Sequence, residues 1–370
     1  MTKYLLFFSF IFLLQSCDTI QYRNSPYGKY RRSLQKENIP NEQIEEWTLI
    51  GEKATMDSLF ITAPLKVMGR ITKDQIEAWG YRIHLNSGVK MNLELTSNLT
   101  REQLFLDFFF VEENGNLDYL GSLEDTTTFQ YEVLETGDYH IRIQPALFQN
   151  AAFELKISLK PIYETFPIKG KGSRAIGSFW GDPRDGGKRK HEGIDIFAPK
   201  NFLLLAVCDG EIDRVENGGI GGKTVWLYDP ELKQSVYYAH LNEQLVKEGQ
   251  RVKAGDLIGR VGNTGNARTT PPHLHFGIYP DGMGAIDPLY FLQRQPSRIP
   301  DIQVDTSLIG QKKQVSSSSK ISNSLIKKEA ESILITPSAT FTIIGAVKSY
   351  YHIKMENGIT GFLSKEVELK

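Results

Sequence analysis

His191-Glu-Gly-Ile-Asp195 and, well downstream, Pro272-His273-Leu-His275-Phe276 are the stretches that decide how this chain of 370 residues is read. Together they supply three imidazoles and a carboxylate. Catalytic zinc is usually held by three protein ligands with a fourth position left open, whereas structural zinc is closed by four. In a regular strand His191 and Asp195 would share a face yet stand about 13 Å apart, too far for donors that must each come within about 2 Å of one ion. The backbone between them has to bend, and Gly193 is the residue that permits it. His273 and His275 need no bend, because residues two apart in a strand point the same way. The first stretch looks like a helical His-Glu-x-x motif, but Gly193, the β-type Ile194, Ile196 and Phe197, and Pro199 read as strand and turn. Glu192 then points away from its neighbours and is not expected to act as a base. His-x-His alone arises from simple alternation, so its meaning depends on what surrounds it.

The surroundings are His191-Glu-Gly-Ile-Asp195-Ile-Phe-Ala-Pro199, Ala206-Val-Cys-Asp-Gly210, Tyr237-Tyr-Ala-His240-Leu241, Gly249, Val252-Lys-Ala-Gly255-Asp-Leu-Ile-Gly259, Gly262-Asn-Thr-Gly265, Pro272-His273-Leu-His275-Phe276 and Asp287-Pro288. In this order, from about Gly177 to Leu292, they resemble the lysostaphin and LytM family of zinc endopeptidases, which cut peptide bonds in peptidoglycan. The resemblance implies that His191, Asp195 and His275 ligate one zinc ion and that His240 and His273 stand beside its water. Zinc would polarise the scissile carbonyl and acidify that water. One free histidine would move the proton and the other would steady the oxyanion, with the two roles left unassigned.

Two departures concern the groove wall and not the ligands. Lys200-Asn-Phe-Leu-Leu-Leu205 replaces a Gly-Thr-Pro-Val turn common in relatives, and Gly277 stands where many carry glutamate. The loop Asp182-Pro-Arg-Asp-Gly-Gly187-Lys-Arg-Lys190 reads either as a solvated basic turn or as a contact to a substrate carboxylate.

Charge is nearly balanced, with 43 basic and 44 acidic residues, and no glycine loop precedes a helix, so nothing points to nucleic acid. Lys3 precedes an apolar run, Tyr4 to Leu14, too short for a permanent span. It ends in Leu14-Gln-Ser-Cys17, which resembles a bacterial lipoprotein signal and implies lipidation of Cys17 and anchoring to an envelope membrane; an ordinary secreted chain is the alternative. Only Cys17 and Cys208 exist, so lipidation of the first would leave no disulfide. Cys208 is expected as a small core hydrophobe and not as a fourth ligand.

The fold class expected is all-β, in three parts. Residues 1–16 read as a signal peptide and 17–54 as a tether. Residues 55–161, with alternating runs such as Trp79-Gly-Tyr81-Arg-Ile83 and Val89-Lys-Met91-Asn-Leu93, read as a β-sandwich that resembles the bacterial pre-peptidase C-terminal domain. Residues 170–293 form the endopeptidase domain. Residues 294–330, with Ser316-Ser-Ser-Ser319, read as a flexible linker. Residues 331–370 resemble a small bacterial Src-homology-3-like barrel, a type of module that in wall enzymes usually binds peptidoglycan. His84, His140 and His352 are expected at the surface. The function expected is a lipid-anchored zinc endopeptidase of the cell envelope with peptidoglycan peptides as substrate and a protein partner left open. A non-catalytic member of the same fold that binds the wall or activates another hydrolase is the alternative, and a lipoprotein with a closed structural zinc is a third.

Overall fold

The computed structural model describes residues 20–56, 59–124, 127–326 and 330–370; Cys17 and the signal-like segment lie outside them. Alternation of apolar and polar residues builds the cores from mainly antiparallel strands, so the all-β class holds. In the strands Leu65–Ile71 and Trp79–Leu85 every second residue is buried. Two sheets enclose the first core. One is five-stranded, with Trp79–Leu85, Gly137–Pro145 and Leu104–Val111 at its centre. The facing sheet contains Leu65–Ile71, Ala151–Pro161, Val89–Ser97 and Thr128–Val133.

The tether expected over 17–54 is, from residue 20 on, three helices, Ile20–Asn24, Pro26–Leu34 and Asn41–Met56. Ser25 caps the second by accepting from the Gly28 amide, with Pro26 at its first turn. Their apolar residues are few but large. Tyr27, Leu34 and Trp47 are buried against Phe105, Ala146 and Leu147 of the sandwich. Trp47 Nε1 donates to the Pro145 carbonyl and Gln144 Nε2 donates to the Trp47 carbonyl, both at 2.8 Å. A buried Arg142–Asp107 ion pair at 2.7 Å lies beneath, with the guanidinium 3.7 Å from the Tyr27 ring centre. Polar composition hid this layer, because a few aromatic anchors carry the packing.

The linker expected over 294–330 is also structured in its described part. Ser319–Ser322 pairs with Ser332–Ile335, and Lys312–Lys313 pairs with Phe341–Val347. Val315 and Ile321 are buried with Phe341, Ile343, Ile353 and Leu363. Residues 331–370 therefore do not form a separate barrel. Their core takes residues from the preceding segment, and Val67, Met68 and Gly69 pair with Val347, Ala346 and Gly345, so one ten-stranded sheet runs through both modules. Gly69 and Gly345 meet under the Trp79 indole, where a Cβ on either would come within 2.7 Å of the ring. His352 packs 4.6 Å from Trp79 and is buried, as is His140, which corrects the surface placement of both. His352 faces Trp79 and Tyr81 of the sandwich, whereas His140 lies on the outer face of its strand, which the N-terminal helices cover. His84 is exposed and pairs with Asp138 at 2.9 Å.

The segment after Pro161 has its own core, which contains Ile194, Ile196, Val225, Leu227, Tyr238, Leu274 and Phe276. A seven-stranded sheet runs in the order Ile176–Ser178, Ile194–Phe197, His273–Pro280, Gln234–Ala239, Gly222–Asp229, Gly210–Gly218, Arg251–Val252. A three-stranded sheet, Leu203–Leu205, Leu257–Arg260 and Glu243–Gln244, completes the domain. Phe291 docks it on the sandwich, where Gly88 leaves room for the ring. Cys208 lies in the turn after Leu203–Leu205, half-buried beside Asp229 and Tyr163, and not within a core strand. No helix among the described residues is long and apolar enough to cross a membrane.

Candidate metal centre

Antiparallel pairing of Ile194–Phe197 with His273–Pro280 sets Asp195 directly opposite His275. Directly opposed residues project from the same face, so the two donors meet without further adjustment. His191 lies just before its strand and is held by two backbone bonds, His191 N to the Asp182 carbonyl and Gly181 N to the His191 carbonyl, both 2.9 Å. Gly193 is required for a close approach. A Cβ there would lie 2.5 Å from the Phe276 carbonyl oxygen and 2.8 Å from the His275 ring.

The result is a triangle of donors: His191 Nε2 to Asp195 Oδ1 3.1 Å, His275 Nδ1 to Asp195 Oδ1 3.2 Å, His191 Nε2 to His275 Nδ1 2.9 Å. Donors at about 2.0–2.1 Å from one tetrahedral ion would be about 3.3 Å apart, so the three fit a single small cation. His191 Nδ1 faces the Phe179 carbonyl at 2.8 Å and must carry the proton. Its Nε2 lone pair then points at a carboxylate oxygen and another imidazole nitrogen, an arrangement that a shared cation relieves. These residues form the group able to hold a metal ion.

His240 and His273 join the same groove but not the triangle. His273 Nδ1 donates to the Pro271 carbonyl and His240 Nδ1 to the Thr264 carbonyl, both at 2.9 Å. The rings lie 5.0 Å apart, and His273 Nε2 is 3.8 Å from Asp195 Oδ1. His240 has φ +64°, a conformation disfavoured for any residue with a side chain and frequent at functional sites. Burial, then the neighbouring His273 and His275, lowers its pKa to about 4, so the ring is neutral at pH 7. Burial lowers His275 as well. Burial would raise Asp195, but hydrogen bonding and charge from His191 and His275 hold it well below the usual carboxylate range. The groove has a volume of about 530 Å³, and every lining residue falls between Ser178 and Tyr279.

Residues 189–288 match the family described as Peptidase family M23. A solved structure titled as the catalytic domain of the antimicrobial peptidase lysostaphin from Staphylococcus simulans is 32% identical, with 32% of this chain and 93% of that one covered and a TM-score of 0.29. Residues 189–288 are a peptidase family M23 domain. Its M23 domain is 37% identical over 124 residues to the L-Ala-D-Glu endopeptidase of Bacillus subtilis (strain 168), covering 31% of this chain and 38% of that one. It is 31% identical over 132 residues to the murein hydrolase activator NlpD of Escherichia coli (strain K12), covering 35% of this chain and 31% of that one. The chain thus spans well under half the length of these curated relatives.

The sequence reading missed one residue of the M23 centre. Arg184, read as part of a solvated turn or a substrate contact, turns inward, and its Nη2 donates to Asp195 Oδ2 at 2.8 Å and to Ser178 Oγ at 2.6 Å. An arginine seven residues before the first ligand was the available signal, but the turn that folds it back is set by Gly186 and Gly187, both with positive φ. The carbonyls that orient three of the imidazoles belong to Phe179, Pro271 and Thr264, and main-chain groups leave no mark in residue identity. Glu192 is exposed at the groove edge, and Cys208 is absent from the metal group among the described residues.

Proposed function

We propose that the M23 domain is a zinc-dependent endopeptidase that hydrolyses peptide bonds of peptidoglycan, with His191, Asp195 and His275 as the ligands. Two imidazoles and one carboxylate are a common catalytic zinc set. Zinc bound there would supply Lewis acidity to a scissile carbonyl and to water. The observation that carries the reading is the pair His240 and His273, each fixed by Nδ1–H on a carbonyl so that Nε2 is left for proton transfer. One Nε2 takes a proton from the attacking water and delivers it to the leaving amine; the other, when protonated, donates to the oxygen that gains charge. Peptidoglycan as substrate is inferred from the activities named for the relatives. Attachment to an envelope membrane through Cys17 is part of the same proposal and rests on the sequence alone.

The competing reading is a non-catalytic activator, which the NlpD likeness favours. Incubating the chain from Asp18 onward with purified peptidoglycan separates the two. New amines should appear, vanish with chelator, and fall by about a hundredfold or more in His240→Ala and His273→Ala. No release from the wild-type chain, with stimulation of a second hydrolase, would establish the activator instead. Because the lining residues all belong to the M23 domain, activity should need no removal of the flanking modules.

A further inference from the structure

Of the four imidazoles in the groove, three are oriented by a hydrogen bond to a main-chain carbonyl and one is not. His275 turns Nδ1 toward Asp195 and His191, and its Nε2 has no hydrogen-bond partner among the described residues. Ligand imidazoles are ordinarily held by such a bond, because a ring free to rotate about its side-chain torsions loses the donor direction that a metal requires.

What borders this ring is a row across the sheet. Tyr237 pairs with Gly277, Trp226 pairs with Tyr237, and Arg214 pairs with Trp226, so the three side chains project together from the face that carries His275. The Tyr237 ring meets His275 edge-to-face, centroids 5.9 Å apart at 72°. Trp226 lies beside Tyr237 at 4.3 Å, and the Arg214 guanidinium sits over the indole at 4.2 Å. Trp226 is held in plane by its Nε1 bond to Glu216 at 3.2 Å. Tyr279 closes the side, perpendicular to Tyr237. Two glycines keep the row intact. A Cβ at Gly277 would come 3.0 Å from Tyr279, and one at Gly193 would strike His275 itself.

We propose that Tyr237, backed by Trp226 and Arg214, is the positioning residue for His275, an aromatic wall doing for this ligand what a carbonyl does for the other three. This rests on the metal reading of the site above. The aromatic ring, and not the phenolic hydroxyl, is the working part.

The test is metal binding by the full chain, prepared metal-free, measured by zinc competition titration and by the visible spectrum of the cobalt-substituted protein. Tyr237→Phe should bind zinc within about twofold of wild type with an unchanged cobalt spectrum. Tyr237→Leu and Tyr237→Ala should bind about 10–100-fold more weakly, with shifted cobalt bands. Tyr237→Leu keeps bulk in the row, so it guards against simple misfolding in the alanine variant. Wild-type affinity and spectrum in both the leucine and alanine variants would overturn the proposal, as would Tyr237→Phe behaving like Tyr237→Ala. Failure of the wild-type chain to bind zinc at all would instead remove the metal reading itself.

Discussion

Arg184 Nη2 lies 2.8 Å from Asp195 Oδ2, while the other oxygen of that carboxylate faces His191 and His275. One charge therefore serves two partners, and the arginine fixes which oxygen faces the two imidazoles. Arg184→Ala should weaken zinc binding about 10–100-fold, the usual effect of removing an outer-sphere partner. Arg184→Lys should recover part of it, because an ammonium can reach one oxygen but lacks the planar fork. Competition titration with a chelating dye reads both. Equal affinity in wild type and Arg184→Ala would show that the contact does not orient the ligand.

Gly193→Ala should damage the centre in a different way. The added Cβ would sit 2.5 Å from a backbone oxygen of the neighbouring strand and 2.8 Å from the His275 ring, and neither can yield without moving a ligand. A loss of about 1–3 kcal/mol in stability is expected from such overpacking, together with weaker metal binding. Gly284→Ala, whose Cβ meets nothing within 4 Å, is the neutral control. Urea denaturation with parallel zinc titration would separate the two variants.

These residues also mark what could be read in the chain before its fold was known. His191, Asp195, His240, His273 and His275 were singled out by the resemblance of their motifs to a known family, while the shared face of His273 and His275 and the need for a bend at Gly193 followed from strand geometry alone. Arg184 was not legible, since its direction depends on a turn seven residues from the ligand. The helical layer over the sandwich was missed because Tyr27 and Trp47 are too few to make a periodic pattern. Ser316 to Ser319 suggested a linker by composition, yet the neighbouring Val315 and Ile321 supply core positions to a C-terminal module whose other strands come later. Burial of His140 and His352 depends on contacts between layers, which alternation within one strand does not reveal.

The shared sheet of the sandwich and the C-terminal module should make them unfold together. Gly345→Ala would push a Cβ to 2.5 Å from the Met68 carbonyl oxygen and 2.7 Å from Trp79, at the seam where the two modules pair. A loss of about 1–3 kcal/mol is expected. Because Trp79 lies at the seam, its fluorescence and the far-ultraviolet signal should shift to lower denaturant together. An early fluorescence transition, with most of the strand signal retained, would mean that the modules separate before either unfolds.

His352 makes that seam sensitive to acid. It is 2% exposed, packed between Trp79, Tyr81 and Phe362, and burial pushes its pKa down to about 3. In the unfolded chain it titrates near 6.5. The folded form therefore resists a proton that the unfolded form accepts, so the stability from keeping this ring neutral is complete above about pH 6.5. It declines as pH falls from there toward 3, at up to about 1.4 kcal/mol per pH unit. His140, lowered to about 4 chiefly by burial with the Arg82 charge adding to it, acts in the same direction over most of that window. His352→Phe removes one of the protons taken up on unfolding, beside those of His140, His240 and His275, whose rings burial also keeps neutral. Its unfolding free energy, measured between pH 7 and 4.5, should therefore fall less steeply than that of wild type, whatever its absolute value at pH 7. Parallel curves for the two proteins would place the acid sensitivity elsewhere.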